Sequence, residues 1–400
     1  MEGERIEGEE RAAAWVLWQI RGVRHRHIRG LRGQMSLSEL WSCQAEQRTA
    51  ALERAKLGKK TRRQVVEAVE EVDEPRDALE REVEALPPDT SMLHRLDEGY
   101  PRRLYDLEDP PEFLYVRGRP EVLSEPSALS VVGSRDVSVD DANRAFQLSR
   151  SIASSGVVNV SSGALGDDRM AHRGAIEAGR RTVSVLPGGI DRPTPVSNRD
   201  VFEGVAENGA LVTEYPIGVR VRRYHFPRRN RLIAALGDAT FVVRAGPDSG
   251  TLLTAEAARE IGRPLCALVG GLEEPLAEGC LELIVSGAAA VRHADDVLDR
   301  YFPKMRESES DGERREPAGK ADELSAPSTV SQEAADLVGR LREEGVEPGE
   351  VVRFDELEEL TGQSAGQLQT GLLELELHGV CRKTPGANGY RFGAGGGATR

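Results

Sequence analysis

The sequence has no long apolar run: nothing in its 400 residues approaches the roughly 20 that cross a bilayer, so no membrane span is expected. It has 4 cysteines, Cys43, Cys266, Cys280 and Cys381, with no Cys-x-x-Cys pair and no histidine at ligand spacing. That pattern argues against a disulfide framework and against a zinc site. No Gly-x-Ser-x-Gly elbow, Walker loop with its lysine or His-Glu-x-x-His helix occurs, and the first strand-to-helix turn holds a single glycine where Gly-x-Gly-x-x-Gly would be needed. NAD or ATP is therefore not expected as a cofactor; the expected chemistry is binding without catalysis. The opening MEGERIEGEE is acidic where a secretory leader would be basic and then apolar, which makes a cytoplasmic location the expectation. A formal charge of -14 argues against coating duplex DNA through overall charge. It leaves room for one local basic patch, because phosphate contacts act within a Debye length of about 10 Å.

Such a patch is present at Ile217 to Ala235, IGVRVRRYHFPRRNRLIAA, where Arg220, Arg222, Arg223, Arg228, Arg229 and Arg231 occur with no acidic residue between them. Arginine forks match phosphate oxygens in pairs, and the interleaved Tyr224 and Phe226 offer faces on which a base can stack. The competing reading is a solvated charged loop, the ordinary fate of a charge run. The lack of compensating Asp or Glu, and a place between two expected strands, weigh against it.

In chain order, residues 1–85 read as a helical domain of the SAM or helix-hairpin-helix kind, although Gly22 lacks the second glycine of a hairpin turn. Residues 86–119 are a Pro-rich lead-in with a short strand at Phe113 to Val116. From Leu129 the apolar strands LSVV, VVNVS, TVSVL, ALVTEY, ATFVV, PLCALV and AAVRH alternate with amphipathic stretches. This is the pattern of right-handed βαβ units, so the fold class is α/β: an extended Rossmann-like parallel sheet with helices on both faces, over residues 86–302. Residues 303–329 are charged and poor in large apolar side chains, as a flexible linker is. Residues 330–395 give three helices and a hairpin turning at Gly386 to Gly389, a winged helix.

Three turns carry candidate ligand groups. LSVVGSR places Gly133, Ser134 and Arg135 after a buried strand, where glycine permits close approach and the amides and hydroxyl can donate to a phosphate. SSGALGDDRMAH makes a second small-residue loop. Asp168 and His172, one helical turn apart, are read as structural rather than catalytic, with Asp167 or Asp168 capping a helix and His172 tying the loop. DSGTLLTAE puts Gly250 and Thr251 at a third strand end. All three, with the arginine segment, should converge at the carboxyl edge of the sheet.

The runs LSVVGSR, AHRGAIEAG, HFPRRNRLIA and SGTLLTA, in this order and spacing, are similar to those of the bacterial DNA processing protein A family, also called Smf. YPRRLYDLEDPPEFLYVRG and LLELELHGVCRKTPG resemble its lead-in and winged-helix segments. The resemblance implies a protein that binds and protects single-stranded DNA, helps load the strand-exchange recombinase in natural transformation, and forms a homodimer through its Rossmann body. It implies DNA contacts at Gly133, Ser134, Arg135, Ser162, Gly163, Gly166, Phe226, Arg228, Arg229, Asn230, Gly250 and Thr251. Arg231, from the same segment, is expected to grip phosphate with Arg135, Arg228 and Arg229, so that Arg228→Ala should flatten the salt dependence of binding.

The sequence departs from the family at Ser162, where glycine is usual, at Leu165 for a basic residue, at Asp167 for isoleucine, at Thr194 for an aromatic and at Leu281 for asparagine. A lost cation and an added Asp167 near the groove should weaken DNA binding. The expected third helix of the winged unit, Ala365 to His378, carries Glu374 and Glu376 but no Lys or Arg, which points to a protein contact rather than a groove reader. The alternative function is an enzyme cleaving nucleotide N-glycosidic bonds, resembling Rossmann proteins of the LOG type, or a binder of a nucleotide ligand. Its Pro-Gly-Gly-x-Gly-Thr-x-x-Glu motif would have to be assembled here from Pro187–Gly189 and Gly250, Thr251 and Glu256, far apart in the chain. A scaffold without a ligand is the third reading.

Overall fold

Short β-branched runs bounded by Gly, Pro and Asp set the strands, and the amphipathic stretches between them wind into helices that bury one face. The structure, a computed structural model, describes residues 2–305, 332–346, 350–363, 368, 371–372, 375, 380–383 and 389–392. It divides into two compact units, residues 1–309 and 310–400.

The first unit begins with α1 (Glu2–Gln19), α2 (His25–Arg32), α3 (Glu39–Ser42), α4 (Ala45–Arg54), α5 (Lys59–Glu71) and α6 (Pro75–Glu84), followed by β1 (Thr90–His94) and β2 (Phe113–Gly118). Next come β3 (Ala128–Val132), α7 (Val139–Ser154), β4 (Val158–Ser162), α8 (Asp167–Glu177), β5 (Thr182–Val185), α9 (Arg199–Asn208) and β6 (Ala210–Thr213). The unit ends with α10 (His225–Leu236), β7 (Ala239–Val242), α11 (Gly250–Glu260), β8 (Leu265–Leu268), α12 (Glu278–Val285), β9 (Ala289–Val291) and α13 (Ala294–Tyr301).

The sheet runs β1, β2, β6, β5, β4, β3, β7, β8, β9. Strands β3 to β9 are parallel, with Ser130 of β3 opposite Val160 on one side and Thr240 on the other. β1 and β2 add an antiparallel edge, and β1 was not foreseen in the lead-in. Helices cover both faces. Leu148 and Ile152 of α7 and Val297 and Leu298 of α13 pack on Leu129, Val131 and Phe241. Leu232, Ile233 and Leu236 of α10 pack with Val132, Val160 and Val242 from the other side. Each fully buried Leu, Ile or Phe contributes about 1.5–3 kcal/mol, which fixes which face of every strand points where.

No gap between compact units falls at residue 85, where the sequence suggested a domain boundary. Phe113 of β2 lies in the core of the helical region beside Leu17, Ile28 and Leu52. Trp15 donates its indole N–H to the Tyr115 hydroxyl at 2.9 Å. Six helices, five of them 13 residues or shorter, close too small a core alone, and the outer face of β1 and β2 supplies the rest. Glu112, fully buried, adds a polar clamp: it accepts from Arg32 at 2.5 Å and from His25 at 3.1 Å, with His94 at 3.4 Å.

In the second unit, α14 (Gln332–Glu343) and α15 (Phe354–Thr361) accompany β10 (Val351–Arg353), β11 (Cys381–Lys383) and β12 (Gly389–Phe392). The strands form an antiparallel sheet in the order β10, β12, β11. Leu337, Leu341, Leu357, Leu368, Leu372, Leu375 and Phe392 make its core. Glu374, Glu376 and most of the hairpin turn at Gly386 lie outside the described residues, as does the linker at 306–331.

Candidate nucleic-acid interface

Strand order reverses between β3 and β7, because the chain winds outward from β3 through β6 and then returns through α10 to the other side of β3. Such a point leaves a crevice beyond the carboxyl ends of the strands. Here it is a cleft of about 550 Å3 lined by Gly133, Ser134 and Arg135 after β3, Ser162 at the end of β4, Phe226, Arg229 and Asn230 of α10, and Gly250 and Thr251 of α11. The turns are bonded to one another: Thr251 Oγ1 donates to the Gly133 carbonyl at 2.7 Å, and Asn230 Nδ2 donates to that of Gly250 at 3.4 Å.

The same bonds correct the reading of the first turn. Gly133 N–H donates to Asp168 Oδ1 at 3.0 Å and Ser134 N–H to Asp167 Oδ2 at 2.9 Å, so these amides are engaged within the protein. The Ser134 hydroxyl donates to the Asp136 carbonyl at 3.1 Å. A Cβ at Gly133 would collide with the Asp167 side chain, whereas one at Gly250 would meet nothing within 4 Å. Glycine at 133 therefore serves packing; glycine at 250 leaves open room at the amino end of α11, where anions are favoured. Gly163 and Gly166 do not line the cleft. A side chain at Gly163 would strike the Phe202 ring, and Gly166, at φ 75°, packs under the Ser134 carbonyl.

The arginine run splits where α10 begins. Arg220, Arg222 and Arg223 are exposed and form no ion pair among the described residues. Arg228 and Arg231 turn instead to Glu214, a buried carboxylate just upstream of the segment: Arg228 Nε donates at 3.1 Å and Arg231 Nη2 at 2.6 Å. The compensating acid is thus present, three residues outside the window in which none occurs, and Arg228 and Arg231 lie outside the cleft. Arg229 is buried, donating to the Val185 carbonyl and to Asn230 Oδ1 at 3.2 Å. Burial lowers it to about 10, still a cation at neutral pH. Among the described residues, the cations at the cleft without an ion pair are Arg135, whose guanidinium sits 5.3 Å from the centre of the Phe226 ring, and Arg223; the exposed carboxylate Asp136 lines the same cleft.

Asp168 lines the cleft and Asp167 lies behind it; burial raises Asp167 to about 7 and raises Asp168 as well. Asp168 also accepts from the Ser162 hydroxyl, a bond the glycine usual at that position could not make. The two carboxylates bind the turn after β3 rather than capping their own helix, whose N-cap is Gly166 without a side-chain cap. His172 does tie the loop, through Ser162 O at 2.7 Å, and burial lowers it to about 4. Asp167 lies wholly buried and does not line the cleft; it reaches it only through the Ser134 N–H. Pro187 to Gly189 pack against the 216–221 loop, and Glu256 does not line the cleft with Gly250, so the halves of the LOG-type motif stay apart.

Residues 91–302 match the family model described as DNA recombination-mediator protein A, and residues 321–387 match that of the DprA winged helix domain. Protein Smf of Synechocystis is 30% identical over 309 residues, covering 72% of this chain and 77% of that protein. DNA processing protein DprA of Bacillus subtilis is 34% identical over 200 residues, 50% of this chain and 67% of that one. The X-ray structure of DNA processing protein A from Streptococcus pneumoniae aligns with a TM-score of 0.63 at 27% identity, over 73% of this chain and 98% of the other.

Proposed function

The chain belongs to the DNA recombination-mediator protein A family, and on that premise we propose that its cleft binds single-stranded DNA during DNA processing in transformation. The observation that carries this reading is the Arg135–Phe226 pair beside Arg223, which forms no ion pair among the described residues, and the room at Gly250 on the amino end of α11, where Ser249 caps the Thr251 N–H. A guanidinium and a ring side by side suit a phosphate with its unstacked base; duplex bases, stacked inside, offer the ring nothing. Protection of the strand, loading of a strand-exchange recombinase and homodimerisation through the sheet-containing unit complete the proposal. No helix among the described residues is long and apolar enough to cross a membrane, which fits action on DNA inside the cell.

Phe226→Ala should cost about 1–3 kcal/mol of affinity for a labelled oligonucleotide, the value of one stacked base. Arg135→Ala should reduce the magnitude of the log K against log salt slope by about 0.7, one phosphate on a single strand. Unchanged affinity in both variants would place the strand elsewhere. Release of free base from nucleoside monophosphates would instead support the glycosidase reading.

A further inference from the structure

A second concavity, also about 550 Å3, lies where the end of α1 and the turn after it meet the segment joining β6 to α10. Its floor is made of rings. Tyr215 stacks on His225 with centroids 4.3 Å apart at 20°, Tyr224 stands edge-on to His225 at 4.5 Å, and Trp18 closes one side beneath the Arg228 guanidinium, 5.5 Å away. In a chain that is 4% aromatic, this grouping gathers side chains that are sparse elsewhere. The rim is cationic: Arg21, Arg220 and Arg222 are exposed and form no ion pair among the described residues. Glu214, the carboxylate at its base, is shared by Arg228 and Arg231, two cations to one anion.

The two concavities are neighbours along one short segment. Arg222 lines the second and Arg223 the first; Arg228 lines the second and Arg229 the first. The aromatic floor and its exposed guanidiniums therefore lie on the other side of the same short segment that carries Phe226. Arg21 already lies over the Tyr224 ring at 4.8 Å, the arrangement in which a base can stack on the ring or on the guanidinium plane. The geometry points to a second nucleotide-binding subsite here, in which Arg21, Arg220 and Arg222 take phosphates and Tyr224 takes a base of the strand continuing from the first cleft. This rests on the single-strand reading above and extends its footprint.

The test is a length series of labelled oligothymidylates from about 4 to 16 nucleotides, the span of site sizes seen for single-strand binders. It is run on the full chain, on the triple variant Arg21→Ala, Arg220→Ala, Arg222→Ala, and on Tyr224→Ala. All four side chains are exposed, and unchanged thermal unfolding confirms intact variants. The shortest strands should bind all three proteins alike. The longest should bind Tyr224→Ala about tenfold more weakly, with Tyr224→Phe restoring the wild-type value. In the triple variant the salt slope for the longest strands should shrink by about 2, three phosphates at 0.7 each. A 5-iodouracil placed beyond the first few positions should photocrosslink to Tyr224.

Equal binding of long strands by all variants overturns the subsite while leaving the first cleft intact, provided Arg135→Ala still weakens binding at every length. Protection of Tyr224 from crosslinking by thymidine monophosphate alone would show a site for a free nucleotide and overturn the continuing strand. Failure of the wild type to bind any strand would remove both readings.

Discussion

Replacing Glu214 with glutamine separates a structural from a DNA-gripping role for Arg228 and Arg231. Glu214 is 2% exposed; Oε1 accepts from Arg228 at 3.1 Å, and Oε2 accepts from Arg228 at 3.2 Å and from Arg231 at 2.6 Å. A neutral amide leaves two guanidiniums without a counter-ion and points an N–H2 donor at one of them. Removing one partner of a buried pair costs about 3–5 kcal/mol. The arginine side chains are 27% and 16% exposed, so water relieves part of this, and about 2–3 kcal/mol is the expected loss. With an unfolding entropy of about 2.1 cal/mol/K per residue, a unit of this size shifts by about 1.5 °C per kcal/mol, so Tm should fall by about 3–5 °C in calorimetry. The drop should persist near 1 M salt, where the Debye length is about 3 Å and exposed pairs are already silenced. If the two arginines gripped phosphates instead, freeing them from Glu214 would steepen the salt dependence of oligonucleotide binding. An unchanged Tm, or a steeper slope, refutes the assignment.

Glu112 gives an acid-stability prediction. Burial alone would raise this carboxyl, but the hydrogen bond with His25, the nearby His94 ring and the charge of Arg32 outweigh it and hold it well below the usual range. Its contribution is therefore present above the unfolded value of about 4.3 and is lost as pH falls below that. Glu112→Gln should be less stable by about 3 kcal/mol at neutral pH in urea unfolding, converging on wild type in acid. Asp167 and His172 have opposite slopes. Burial raises Asp167 to about 7, so its contribution is lost as pH rises from about 4 through 7, and Asp167→Asn should gain on wild type over that range. Burial lowers His172 to about 4, so its contribution is lost as pH falls from about 6.5, and His172→Gln should gain in that direction. Parallel pH–stability curves for wild type and either variant would refute the corresponding burial.

Strand existence was legible because seven apolar runs alternate with helical periodicity, and the parallel sheet followed from that alternation. β1 was not, since Thr90 to His94 reads TSMLH, without alternation, and becomes a strand only by pairing with β2. The convergence of the glycine turns on one cleft was also legible, as a property of where strands of this class end. What each group does there was not. Whether the amides of Gly133 and Ser134 are free depends on two carboxylates more than thirty residues away, and whether an arginine faces solvent depends on where α10 begins: Arg223, ahead of it, is exposed, and Arg229, within it, is buried. Glu214 shows the limit of counting charges inside a window: the acid that neutralises Arg228 and Arg231 sits at the end of the preceding strand.

The central claim is that the cleft at the β3–β7 reversal holds an unpaired polynucleotide. Competition between single-stranded and duplex oligonucleotides of the same sequence, at two salt concentrations, tests it most directly. The account predicts that single strands displace a bound probe well below the duplex concentration needed, and that Arg135→Ala with Phe226→Ala abolishes the difference. Equal competition by duplex, or a preference that survives both substitutions, would contradict it.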